Sequence, residues 1–357
     1  MSGINRRDAL RIIGVGATSL AATAACSRLA TTSETPGAKG STMPAGPILT
    51  KAIPATGEAI PVIGLGSSRT FDVGSTDAER KPLEDVLNAF TAAGGKVIDS
   101  SPMYGNAEQV IGDLSAKLGL RKKLFVATKV WTTGAEAGVR QMEESLRKLH
   151  ADPIDLMQVH NLVDVELHLD TLAEWKRKGR IRYFGITHSN DSAHEAVERV
   201  IAARKLDFLQ INYSVNERDA EQRLLPLAKE RGIAVIANRP FARGNLFSRV
   251  RSKPLPSWAA EIDCQSWAQV LLKFVVSHPA ITCAIPATSN VDHLKDNMNA
   301  CFGRLPDEKL RTRIATELND DFFLPLPLGE GRGEGRARRS RAMRNKTYFA
   351  LVPGRAG

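Results

Sequence analysis

Cysteine is scarce in this chain: four residues in 357, Cys26, Cys264, Cys283 and Cys301. None stands in a CxxC pair or at a Cys/His spacing that holds a metal, so neither a metal site nor a disulfide framework is expected. Cys283, inside an apolar run, reads as core. No stretch of 18 apolar residues occurs, so no transmembrane helix is expected. The glycine signature G-x-G-x-x-G, by which an open doubly wound sheet cradles a dinucleotide, is absent after the first strand-like segment. Negative charge is also in deficit, and the net charge of +10 first suggests a polyanion partner. The excess lies at the ends. Residues 325–357 carry +6 and residues 1–45 carry +3, which leaves about +1 for residues 46–324. A nucleic-acid partner is therefore not expected.

The two ends read as appendages. Asn5-Arg6-Arg7-Asp8-Ala9-Leu10-Arg11 precedes a mildly apolar run, Ile12 to Ala25, ending in small residues. A basic start, an apolar stretch and small residues describe a secretory signal. The Arg6-Arg7 pair with Leu10 resembles a twin-arginine signal, with Ala9 where a bulky apolar residue is commoner. Export to the periplasm through residues 1–30 is the expectation, with a cytoplasmic protein as the alternative. Cys26 is a candidate lipid acceptor, although Thr23 stands where such a site prefers Leu; an incidental Cys near a cleavage site is the alternative. Residues 31–47 are Ser/Thr/Pro/Gly-rich, a linker composition. Residues 323–357, low in complexity and Arg-rich, are expected to form an unstructured basic tail.

Between them, Ile48–Ile53 and Ala59–Val62 read as a short hairpin through Thr56-Gly57. Eight strand–helix alternations follow. The strand-like segments are Val62–Leu65, Val97–Asp99, Leu124–Lys129, Leu156–His160, Tyr183–Thr187, Phe208–Ile211, Ala234–Ala237 and Ile281–Ile285. The helix patterns cover Asp77–Ala93, Ala107–Leu118, Ala137–His150, Leu169–Lys178, Ser192–Arg204, Ala220–Arg231, Trp267–Ser277 and His293–Cys301. In Val139-Met142-Leu146-Leu149 apolar residues return every three or four positions. Gly94, Gly119, Gly179 and Gly232 stand where left-handed helix terminators belong. Eight such units predict an α/β protein, a (β/α)₈ TIM barrel with a short N-terminal β-hairpin over residues 48–322. A doubly wound open sheet is the alternative.

Three of the strand-like runs end in an ionisable residue: Asp99 (with Tyr104 five positions on), Lys129 and His160. In a barrel of this kind, carboxyl ends of strands form the face where active sites are built. The four types suit carbonyl reduction, in which oxygen acquires negative charge and needs a proton. A tyrosine hydroxyl can donate it, but an ordinary pKa near 10 makes it slow at neutral pH. A lysine ammonium nearby would lower that value, an aspartate would keep the lysine charged, and a histidine hydrogen bond would orient the carbonyl. Tyr104 is thus the expected acid, Lys129 its tuner, Asp99 the lysine's partner and His160 the orienter.

Asp99-Ser-Ser-Pro-Met-Tyr104-Gly105, Ala127-Thr-Lys129-Val-Trp131 and Gln158-Val-His160-Asn161, with Gly64-Leu-Gly66 before and Ile285-Pro286 after, resemble the aldo-keto reductase family over roughly residues 48–320. The resemblance implies NAD(P)H-dependent reduction of a small-molecule carbonyl. It implies cofactor contacts from Gly66, Thr187, His188, Gln210, Asn238, Arg239, Pro240, Arg243, Thr288, Ser289, His293 and Asn297. Thr187-His188 stands where the family has Ser-Asn for the nicotinamide carboxamide, and Asn238 where many members stack a Tyr on nicotinamide. Arg239 and Arg243 are candidate pyrophosphate ligands. Strong NADPH users carry Lys and Arg where Ala287 and His293 stand, so NADPH is expected with a reduced margin over NADH. Trp131, Asn161 and Phe241 are taken as pocket walls. Two rivals are a nucleotide-binding redox sensor without turnover, and a Schiff-base isomerase or aldolase using Lys129.

Overall fold

The computed structural model describes residues 46–319. The expected export segment with Cys26, most of the linker and the basic tail lie outside the described residues. An antiparallel hairpin, β1 (Thr50–Ala52) with β2 (Ala59–Pro61), opens the body. Eight strands follow: β3 (Leu65–Gly66), β4 (Val97–Asp99), β5 (Phe125–Val130), β6 (Ile154–His160), β7 (Ile181–His188), β8 (Phe208–Asn212), β9 (Ala234–Asn238) and β10 (Ile281–Ala284). Each pairs in parallel with the next in chain order. The ring closes where Gly64 N donates to Ala284 O (2.8 Å), Ala284 N to Val62 O (2.9 Å) and Gly66 N to Pro286 O (3.0 Å). The fold is therefore the expected (β/α)₈ barrel with an N-terminal hairpin. At the seam the backbones come so close that a Cβ on Gly66 would lie 2.9 Å from Ile285 O.

The helices are α1 (Asp77–Ala92), α2 (Ala107–Lys117), α3 (Ala135–Lys148), α4 (Val165–Arg177), α5 (His194–Ala203), α6 (Leu224–Glu230), α7 (Asn245–Val250), α8 (Trp267–Ser277), α9 (Val291–Asn299) and α10 (Glu308–Asn319). α1 shows why they start where they do. Thr76 accepts from Glu79 N while Glu79 accepts from Thr76 N, a reciprocal cap that satisfies two free amides. Its apolar stripe, Leu83, Val86, Leu87 and Phe90, is buried against the barrel. The four glycines expected to end helices have φ between +64° and +82°. The larger differences from the sequence reading fall at four helices, the other boundaries moving by three residues or fewer. α4 begins four residues early because its first turn buries a polar residue, His168, whose Nε2 lies 2.7 Å from Thr132 O. α6 is shortened because Asp219–Glu221 forms a separate 3₁₀ turn. α7 and α10 were not anticipated.

Alternate strand residues face inward and build a layered interior. Phe125, Tyr183 and Phe208 form the base, with ring centroids 5.5–6.1 Å apart. Ala127, Leu156, Ile236 and Cys283 belong to the same buried group, as do Ile53 and Ile60 of the hairpin region. The hairpin is tied to the amino-end face by Lys51, whose Nζ donates to the carbonyls of Val276, His278 and Ile281 at 2.6–2.9 Å. Burial lowers the Lys51 pKa to about 8.

Candidate active site

The top layer of that interior is polar. Asp99 closes β4, Lys129 is the fifth residue of β5, and His160 is the last of β6. Register sets them side by side: Asp99 pairs with Ala127, two residues before Lys129, and Lys129 pairs with Gln158, two before His160. Lys129, 1% exposed, donates to both carboxylate oxygens of Asp99 at 2.8 Å and to Ser100 O at 2.5 Å. All three ammonium hydrogens are thus engaged. An amine held in this way has no lone pair for imine formation, which argues against the Schiff-base alternative. Burial raises the Asp99 carboxyl while Lys129 opposes it. The direction that governs the pair is the lysine's: despite its own burial, Asp99 and Tyr104 keep the ammonium charged and its pKa raised.

Tyr104 comes from the loop after β4. Its N–H donates to Ser101 O (3.0 Å), and the turn is braced from the β3 loop by Asp72, which accepts from Asn106 N at 2.9 Å. Lys129 Nζ lies 5.4 Å from the Tyr104 ring centroid, and the His160 ring stands at 90° to it at 6.4 Å. The expectation that the lysine lowers the phenol pKa needs correction. Lys129 does pull it down, but burial and the Asp99 carboxylate together outweigh that pull and leave the value raised. At neutral pH Tyr104 therefore holds its proton. His160 is the opposite case: burial, then Lys129 and His188, push it down to about 3, so the imidazole is neutral.

The residues expected to touch a cofactor stand at the carboxyl ends of strands or in the segments that follow them. Thr187 sits opposite His160 on one side and Gln210 on the other. Gln210 accepts from Gln158 Nε2 at 2.7 Å and approaches Asp99 at 3.4 Å. His188 closes β7, and its Nδ1 accepts from Asn190 N at 3.2 Å, leaving the proton on Nε2. Asn238 closes β9 opposite Asn212. Arg239, with φ +52°, is latched to Ser189 through its carbonyl (2.6 Å) and hydroxyl (2.7 Å). Pro240 is buried and Arg243 exposed. Across the seam, Thr288 turns its hydroxyl inward to the backbone of Asn290 (3.0 Å), whereas Ser289 and His293 lie exposed at the start of α9, and Asn297 is buried. Trp131, 41% exposed, has its ring 6.4 Å from His160, and its backbone is gripped at both ends by Gln141 (2.6 and 3.2 Å). Asn161 (φ +55°) follows His160 directly. Phe241 packs on Phe247 of α7 at 4.7 Å.

Three contributors were not singled out beforehand: Ser101, Gln158 and Ser189. Strand alternation carried a signal for Gln158, because it lies two residues before His160 and shares its inward face. Gln158 Oε1 and Asn238 Oδ1 are buried without a hydrogen-bond partner. Orphaned acceptors in a polar layer suit a ligand carrying an amide N–H donor. A groove of about 660 Å³ at the amino-end face, walled by Lys96, Arg121, Lys122 and Arg182, holds no comparable set. Its Glu58 and Asp155 carboxylates are both occupied by Arg182.

This geometry, a buried lysine–aspartate pair beside a protonated tyrosine and a neutral histidine on a barrel's carboxyl face, suits an oxidoreductase. The profile of the Aldo/keto reductase family matches residues 62–314, and the chain belongs to that family. Among its relatives is the methylglyoxal reductase YeaE of Escherichia coli, 29% identical over 247 residues, or 67% of this chain and 84% of that protein. Another is the aldo-keto reductase str7 of Strobilurus tenacellus, 28% identical over 287 residues (69% and 83%). Of solved structures, an aldo-keto reductase from Klebsiella pneumoniae in complex with NADPH superposes with a TM-score of 0.63. It is 25% identical, and the match covers 76% of this chain and 95% of that one.

Proposed function

We propose that the protein reduces small aldehydes or ketones to alcohols with NADPH, NADH serving less well. The observation that carries this reading is the convergence of Asp99, Tyr104, Lys129 and His160 in one layer, with Lys129 saturated by hydrogen bonds and Tyr104 protonated. The cofactor reading is supported by the orphaned acceptors Gln158 Oε1 and Asn238 Oδ1 at the nicotinamide end and by Arg239, Arg243, Ser289 and His293 along the rim. The nucleotide supplies the hydride. Tyr104 gives its proton to the carbonyl oxygen, and His160 as neutral imidazole donates a hydrogen bond that orients that oxygen. Lys129 offsets the charge left on the phenolate, and Asp99 acts only through Lys129. Trp131 and Asn161 flank the carbonyl, and Phe241 is assigned to the outer wall.

Tyr104→Phe tests the reading. NADPH affinity, followed by nucleotide fluorescence, should be nearly unchanged while reduction of an aldehyde panel falls by about 10²-fold or more. Retention of most activity would remove Tyr104 from the mechanism. No turnover of any carbonyl by a nucleotide-binding wild type would favour the sensor alternative. We also propose that residues 1–30 direct export to the periplasm, which rests on the Arg6-Arg7 pair and the apolar run Ile12 to Ala25 that follows it.

A further inference from the structure

We propose that Ser101 is a positioning residue that fixes His160 in the tautomer carrying its proton on Nε2. The functional importance of that tautomer rests on the reductase reading, but the assignment itself does not. Ser101 is fully buried, and its Oγ lies 3.2 Å from His160 Nδ1. The same oxygen receives the N–H of Met103 at 3.4 Å. A hydroxyl that is accepting still has one hydrogen to place. Among the described residues its acceptor is Nδ1. If Nδ1 carried the imidazole proton instead, Ser101 Oγ would have to accept it beside the Met103 N–H, and the buried serine hydrogen would have no partner, an unfavourable arrangement in a dry site. The neutral imidazole has a single N–H, so it stands on Nε2, which has no protein partner among the described residues.

Ser101 reaches the other reacting group as well, because its carbonyl accepts the N–H of Tyr104 at 3.0 Å. One residue thus sets both the proton donor and the hydrogen-bond donor, from opposite ends of its own backbone and side chain. A tyrosine and an Nε2–H pointing at one oxygen make a two-donor cradle. With the proton on Nδ1, the imidazole would instead present a lone pair to that oxygen and repel it.

The test is nitrogen NMR on the full chain labelled at its seven histidines, with His160 assigned by its loss in His160→Asn. The wild type should show a protonated Nε2 and an unprotonated, hydrogen-bonded Nδ1 at neutral pH. In Ser101→Ala the Nδ1 resonance should move to that of a free ring nitrogen, and Ser101→Thr should restore it. In parallel, kcat for a reactive aldehyde should fall by about tenfold in Ser101→Ala, the scale of one hydrogen bond, with the Kd for NADPH unchanged and kcat recovered in Ser101→Thr. A protonated Nδ1 in the wild type, or spectra and kcat unaltered in Ser101→Ala, would overturn the assignment. A wild type without carbonyl turnover but with the expected spectra would support the tautomer and count against the reductase reading alone.

Discussion

Replacing Lys129 by Met removes one half of a buried ion pair and leaves the other half with little support. In the native site the Asp99 carboxylate accepts two hydrogen bonds from Lys129 at 2.8 Å; Gln210 offers only a long contact of 3.4 Å. Breaking a buried pair by deleting one partner typically costs about 3–5 kcal/mol. The carboxyl can escape part of that by taking up a proton, and burial already pushes its pKa upward. The sign follows from linkage. A carboxyl whose folded pKa lies above its unfolded value favours the fold at pH below the unfolded value, near 4, and loses that contribution as pH rises through the folded value. The deficit of Lys129→Met should therefore be largest at pH 8 and shrink toward pH 5. Urea unfolding midpoints of wild type and variant across that range measure it. Asp99→Asn/Lys129→Met, with neither charge, should recover most of the stability at pH 8. Neither variant should recover activity, since the phenolate has lost its cation. The reasoning fails if the deficit is the same at pH 5 and pH 8, or if the double variant is no more stable than the single one.

Asp99→Asn alone should impair turnover less than Lys129→Met, because the carboxylate works only through the lysine; the reverse ranking in kcat/KM would invert the assigned hierarchy. His293→Arg, at the exposed start of α9, should raise the preference for NADPH over NADH by about 1–2 kcal/mol, one charge-assisted contact, as measured by paired Kd values. An unchanged ratio would locate the adenosine phosphate elsewhere. Fractionation of cells expressing the native chain and Arg6→Lys/Arg7→Lys should find the native chain in the periplasm and the variant retained. Full-length native protein confined to the cytoplasm would sink the export proposal. If export holds, purified periplasmic protein should carry nucleotide, since that compartment offers no reduced pool to load from.

Three of the reacting groups were readable because Asp99, Lys129 and His160 stand where apolar runs stop, with Tyr104 five positions after the first, and eight such runs alternate with helix-length stretches. What escaped the reading has identifiable physical causes. α10 has apolar residues at 310, 314, 315 and 318, a helical spacing, but Arg311 interrupts the stripe at a core position. That arginine is buried because Phe274 O, Ser277 Oγ and Tyr213 OH receive its hydrogens. α7 is six residues long, too short for a period to register. It follows Ala242, Arg243 and Gly244, all at positive φ, which residue types alone would not announce. The direction of the Tyr104 shift was missed for another reason. The pull of a lysine can be inferred from its presence, but the balance between that pull, a neutralising aspartate and burial depends on distances.

The layered interior has a consequence for how damage can present itself. Phe125, Lys129 and the residue between them, Ala127, point inward from one strand; Leu156, Gln158 and His160 do so from the next. Because the period is two, a slip of one residue in the first strand would send Phe125 outward and withdraw the lysine in the same step, and a slip in the second would do the same to Leu156 and the histidine. Packing and chemistry are written in one reading frame, like a text whose checksum is its own content. A misaligned strand cannot yield a well-packed but idle molecule, so assays of turnover double as proofreading of the barrel. A variant that melts like the wild type and does nothing must have lost a group, not a frame.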